Sequence, residues 1–101
     1  MVTGVIWSQE ALDDIQAIAA FIGRDSAFHA QRVVEEIFTI GDSIPEQPRL
    51  GRMVPELQDP NLRERFIYSY RIIYELSRER IEVIAVIHGR RLLESLGQRF
   101  E

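Results

Sequence analysis

The side chains best suited to chemistry in this 101-residue sequence are its arginines: all 12 basic residues are Arg, none is Lys, and 10 of them follow Pro48. A guanidinium is planar, permanently charged and a bidentate donor, so a cluster of them suits phosphate or carboxylate recognition. Alternation along a strand sets Arg63 and Arg65 on one side with Ile67, and Arg71 shares a side with Ile73 on the next strand. If those strands are neighbours, the guanidinium groups could converge on one sheet face, with Arg52 before them and Arg90 and Arg91 just beyond the last strand. The competing interpretation is a set of solvated strand positions paired with Glu56, Glu64, Glu75 and Glu82.

His88 is the histidine closest in sequence to this cluster. It could act as a base, because imidazole as a side-chain type has an unperturbed pKa near neutrality, although a strand-end His hydrogen-bonded to backbone is the plainer interpretation. His29 stands far off in the acidic half and is assigned no role. The histidines and carboxylates show no metal-ligand spacing, and the six glycines are too scattered to form a phosphate-cradling loop. No metal and no cofactor is expected. Tyr68, Tyr70 and Tyr74 could stack on bases or serve as sheet packing.

The elements that must position these groups are legible from periodicity. Val2 to Trp7 is β-branched and aromatic enough for a short strand, with Ser8 as N-cap of the first helix. Ala11, Leu12, Ile15, Ile18, Ala19 and Ile22 form one helical stripe, and Gly23-Arg24-Asp25-Ser26 stops that helix and caps the next. Ala30, Val33, Ile37, Ile40 and Ile44 form a second stripe ending at Pro45, giving an αα-hairpin. Beyond Pro48, Arg52 to Leu57 predicts an edge strand, then come Leu62 to Tyr68, Tyr70 to Leu76 and Ile81 to His88, with a possible short helix over 90–99. This order predicts a single α+β domain spanning 1–101, in which the N-terminal strand and helical hairpin cover one face of a largely antiparallel sheet.

Composition narrows the class. With 46% hydrophobic and 28% charged residues the chain has the make-up of a globular domain. Its longest apolar runs, Ala17 to Ile22 and Val83 to Ile87, are too short to span a bilayer as helices, so no membrane partner is expected. The absence of Cys and of a secretory leader pattern fits a reducing cytoplasm. Charge is uneven: 2 basic and 8 acidic groups precede residue 49, and 10 and 8 come after, so an anionic partner should meet the second half.

Several short strings then become recognisable in order. Gly51-Arg52 to Glu56-Leu57, Arg63-Glu64, Tyr70-Arg71-Ile72-Ile73-Tyr74, and Val83 to Val86 ending in His88-Gly89-Arg90-Arg91 together resemble the RelE/ParE superfamily of bacterial toxins. The resemblance covers nearly the whole chain. It implies the toxin of a type II toxin–antitoxin operon, neutralised by an antitoxin that wraps it, in a family divided between ribosome-dependent mRNA endonucleases and inhibitors of DNA gyrase. On the nuclease branch, Arg63, Arg65, Arg71 and Arg91 would hold the scissile phosphate with His88 as base. The terminal Tyr of that branch does not carry over, since its position falls near Gly97. Arg cannot surrender a proton at neutral pH, so such a site would stabilise a phosphorane without activating the nucleophile. The Ile87-His88-Gly89-Arg90-Arg91 ending looks more like the gyrase-inhibiting branch. On either branch Arg52, Arg63, Arg71, Arg90 and Arg91 would contact target or antitoxin, and Arg71→Ala or Arg91→Ala should lower toxicity while the domain stays folded. A non-toxic binding module of the same fold is a third interpretation.

Overall fold

The computed structural model describes residues 4–89. The elements are β1 (Val5–Trp7), α1 (Gln9–Gly23), α2 (Ala27–Ser43) followed by a 3-10 turn at Ile44–Glu46, β2 (Arg52–Met53), β3 (Leu62–Ile67), β4 (Tyr70–Leu76) and β5 (Ile81–His88). The strands form one sheet in the order β1-β5-β4-β3-β2, with β1 parallel to β5 and every other pairing antiparallel. This is the expected α+β arrangement. The anticipated terminal helix, with Arg90 and Arg91, lies outside the described residues.

Ser8 fixes where the first helix meets the sheet. Its hydroxyl oxygen accepts from Ala11 N–H at 3.0 Å and donates to the Ile84 carbonyl at 3.2 Å, so one side chain both caps α1 and ties it to β5. Ala11, Ile15 and Ile18 of α1 and Val33 and Ile37 of α2 then pack on Ile67, Ile72, Tyr74, Ile81, Val83 and Val86. Leu12, part of the predicted stripe, sits on its rim and is 37% exposed. Trp7 stacks on Phe38 with ring centroids 4.7 Å apart, and its indole N–H donates to Asp42. Gly41 makes that possible, because a Cβ there would clash with the indole ring.

The opposite face of the sheet has a smaller core of Val54, Leu62, Ile73, Ile84, Ala85 and Ile87. A bulge explains how β5 serves both faces: Ile73 pairs with Ala85 but Tyr74 with Val83, so β5 takes two steps where β4 takes one. Val83 and Val86 point to the helices, while Ile84, Ala85 and Ile87 point away. With both faces covered, the run from Val83 to Ile87 is continuously apolar rather than alternating.

The first strand, expected from Val2, begins at Val5 with Gly4 outside it, and two further strand boundaries differ from expectation. The strand predicted over Arg52–Leu57 stops at Met53, and Val54 to Leu57 turns back on itself, Leu57 N–H and Gln58 N–H both donating to the Val54 carbonyl. Pro55, which has no N–H to offer a ladder, stands at that turn. The turn drops Val54 and Leu57 onto the smaller core. The third strand ends at Ile67 because Tyr68 and Ser69 form a two-residue hairpin loop, Tyr68 having φ 53°.

Candidate functional site

The sheet face away from the helices is where the arginines were expected to gather. Arg71 and Arg52 reach it, and carboxylates meet both. Arg71 on β4 pairs across the strand with Phe66, which places Glu64 on the diagonal. Its Nε donates to Glu64 Oε1 at 2.6 Å, while Nη1 and Nη2 each donate to one oxygen of Glu56 at 2.8 Å. The other Glu64 oxygen accepts from Arg52 Nε at 2.6 Å. Arg71 is 3% exposed and Glu64 1% exposed, so the centre of this four-residue network is dry. Glu56 comes from the Val54–Leu57 turn, and its bidentate bond holds that turn against the sheet.

The electrostatics of the network reflect this pairing. The Arg71 guanidinium, by direct hydrogen bonding, lowers the Glu56 carboxyl from 4.5 to about 2, against the opposing effect of desolvation. Glu56 in turn raises Arg71 above its already high range. A carboxyl depressed by folding contributes stability that is complete above its unfolded pKa and lost as pH falls through its folded one. Acidification from pH 5 to pH 2 should therefore lower the melting temperature of the wild type more than that of Glu56→Gln, as followed by circular dichroism. Parallel curves for the two proteins would contradict this linkage.

Arg63 and Arg65 do not join the network. They share a side with Ile67, which packs in the helix-facing core, so they project to the opposite face from Arg71. Arg65 donates to the Ser43 hydroxyl at the end of α2, and Arg63 donates to the carbonyls of Pro60 and Gly51. Both guanidinium groups thus serve loop backbone and helix end. Burial pushes up the pKa of Tyr74, which lies between them and donates to the Pro48 carbonyl at 2.8 Å. The expected convergence of Arg63, Arg65 and Arg71 on one face is therefore corrected. Alternation defines two sides of a strand without saying which one the helices cover.

His88 stands on the helix side as well, edge-on to Tyr70 with ring centroids 5.9 Å apart, at the rim of a groove of about 290 Å3 lined by Asp14, Phe21, Tyr70 and Val86. The sheet separates it from Arg71, whose cross-strand partner is the adjacent Ile87. The proposed base and the best-placed guanidinium consequently occupy opposite faces. Arg90 and Arg91 lie outside the described residues. No group of His, Cys, Asp and Glu that could hold a metal ion occurs among the described residues.

Of the aromatic side chains that remain exposed at this end of the sheet, Tyr68 was named from the sequence for stacking or packing and Phe66 was missed. Phe66 is 51% and Tyr68 56% exposed, and Tyr68 donates to Glu36 of α2, which raises its pKa. The signal in the sequence for Phe66 was an aromatic residue near a strand end, which equally suits sheet packing. Asp14 of α1, which is not part of the apolar stripe, also meets the sheet: its carboxylate accepts from Val86 N–H of β5 at 3.0 Å.

The chain is similar to known proteins over most of its length. A family model described as "ParE toxin of type II toxin-antitoxin system, parDE" matches residues 5–93. A protein named Toxin RelE2 from Caulobacter vibrioides is 34% identical over 89 residues, which span 87% of this chain and 97% of that protein. Among solved structures, a chain of the chromosomal ParDE TA system from P. aeruginosa superposes with a TM-score of 0.71 at 14% identity, covering 86% of this chain and 96% of its own, a likeness of fold. No helix among the described residues is long and apolar enough to cross a membrane. The match over most of the chain and the full-length relative agree with the strand, helical hairpin and mostly antiparallel sheet, and the chain belongs to the ParE/RelE family of type II toxin–antitoxin toxins.

Proposed function

We propose that this toxin arrests growth by binding DNA gyrase and blocking its cycle, and that a cognate antitoxin neutralises it. The observation that carries this reading is the dispersal of the groups a nuclease site would need. Arg71 is buried, with its donors engaged by Glu56 and Glu64. Arg63 and Arg65 face the helix side, and His88 is across the sheet from Arg71. Cleavage of RNA requires an acid, a base and charge stabilisation within reach of one phosphate. Stoichiometric inhibition by protein contact requires none of these, only a surface complementary to its target.

The relative's name, Toxin RelE2, supports a second reading: a ribosome-dependent mRNA endoribonuclease using Arg63, Arg65, Arg71, Arg91 and His88. Purified toxin tested in parallel in a gyrase supercoiling assay and a translating-ribosome mRNA cleavage assay separates the two. The expected result is loss of supercoiling with intact mRNA. Cleavage at the ribosomal A site with gyrase unaffected would replace the first reading by the second.

A further inference from the structure

The loop between β3 and β4 carries a residue that its own backbone disfavours. Of the two loop positions only Tyr68 has a positive φ, 53°, and a hairpin with that pattern ordinarily has Gly at its first position. A bulky aromatic residue held in the left-handed region points to a use for its side chain that outweighs the strain. Burial is not that use, because Tyr68 is more than half exposed.

The side chain instead joins the loop to α2. Its hydroxyl donates to Glu36 at 3.0 Å, and its ring stands edge-on to His29 with centroids 6.1 Å apart. His29, Arg32 and Glu36 recur at three- and four-residue steps and share one side of the helix, with Arg32 3.7 Å from the Glu36 carboxylate. Val33 and Ile37 of the same helix are buried in the main core, which fixes this anchor to the body of the domain. The second loop residue is tied in another direction. The Ser69 carbonyl accepts from Gly89 N–H at 2.6 Å, one step beyond Tyr70 and His88, the last pair of β4 and β5. A Cβ on Gly89 would approach that carbonyl to 3.2 Å, so a residue without one lets the two segments close. Contacts therefore run from α2 through Tyr68 and Ser69 to Gly89, and Arg90 and Arg91 are the next two residues in the sequence.

We propose that Tyr68 is a positioning residue: by clamping the β3–β4 loop to α2 it holds Gly89 in place, and so fixes the point from which the chain presents Arg90 and Arg91 to an acidic surface of the target. The proposal rests on the reading that this toxin inhibits gyrase and that these arginines contact it. A charged side chain presented from a fixed origin loses less freedom on association than one on a loose tether, so the clamp strengthens binding without touching the target. The test compares the full-length wild type with Tyr68→Phe and Glu36→Gln. It measures amide exchange at Gly89 in the toxin alone, and the toxin concentration that half-inhibits gyrase supercoiling at low and at raised salt. The altered hydroxyl and carboxylate are at the surface, and thermal melting checks that both variants are folded.

Tyr68→Phe is expected to exchange at Gly89 at least three-fold faster and to require at least three-fold more toxin at low salt. That loss should shrink at raised salt although no charge has been removed, because the contribution being lost is that of the misplaced arginines. Glu36→Gln keeps an acceptor for the hydroxyl and should stay within three-fold of wild type in both measurements. Gly89 exchange in Tyr68→Phe within three-fold of wild type overturns the clamp. Faster exchange with inhibition within three-fold of wild type overturns the positioning role, and so does a loss of inhibition that is equal at both salts, which would have Tyr68 act other than through the arginines. A Glu36→Gln protein that loses as much as Tyr68→Phe overturns the hydroxyl bond as the link. Wild type without effect on gyrase overturns the underlying reading and the proposal with it, and the Gly89 exchange distinguishes that failure from failure of the clamp.

Discussion

Arg71→Ala is expected to unfold this domain under conditions where the wild type is stable, and loss of toxicity in that variant will reflect loss of structure. Removing the guanidinium leaves Glu64, 1% exposed, with Arg52 as its remaining partner and releases the Glu56 turn from the sheet. Stranding one member of a buried ion pair costs about 3–5 kcal/mol, a large share of the roughly 5–15 kcal/mol that holds a domain folded. For a chain of this size the melting temperature should fall by more than about 10 °C. Replacing Arg71 and Glu64 together with leucine should recover much of the loss, because no buried charge is then left behind. Equal destabilisation by the single and double variants would show that the cost is packing rather than stranded charge. This outcome replaces the expectation, natural from the sequence, of a folded Arg71→Ala protein with a disabled surface.

Gly51→Ala carries the second large effect. A Cβ at Gly51 would meet the Tyr74 hydroxyl and approach the Glu64 carbonyl to 2.7 Å. Tyr74 is fully buried and anchored on the Pro48 carbonyl, and the Glu64 carbonyl is backbone within the sheet, so neither can yield cheaply. Overpacking of this kind costs roughly 1–3 kcal/mol, and the rigid carbonyl places Gly51 toward the upper end. Tyr74→Phe alone should cost about 1 kcal/mol through the lost hydrogen bond. In the Gly51→Ala background the same change removes one of the two clashes, so the double variant should be more stable than the sum of the singles predicts. Strict additivity in chemical denaturation would contradict the shared contact.

Much of this architecture could be read from residue spacing. The three- and four-residue steps of Ile15, Ile18, Val33 and Ile37 mark the helical faces, and the Gly23–Ser26 break marks the hairpin, because each depends on local geometry. The extent of β2 could not be read, since Met53 and Val54 suit a strand and only the tertiary placement of the Val54–Leu57 turn ends it. Nor could the facing of Arg63 and Arg65. Ile67 on their side and Leu62 on the other are equally apolar, so hydrophobicity does not choose between faces. The pairing of Arg71 with Glu56 and Glu64 was open as one of two interpretations. Strand register, together with a turn whose course local sequence does not specify, decided it.

The parallel pairing of β1 with β5 has a consequence in time. Val5 lies beside Ile81, so β1 leaves the ribosome long before β5, its partner, is made. Ser8 cannot anchor the first helix to Ile84 until then either. Contacts between such distant parts of a chain form late and slowly. A nascent or truncated chain ending before residue 81 lacks the strand against which both the first strand and the first helix are fixed. The fold therefore couples synthesis of β5 to acquisition of the native surface, so that a product terminated before residue 81 should be cleared by proteolysis rather than accumulate as an active fragment.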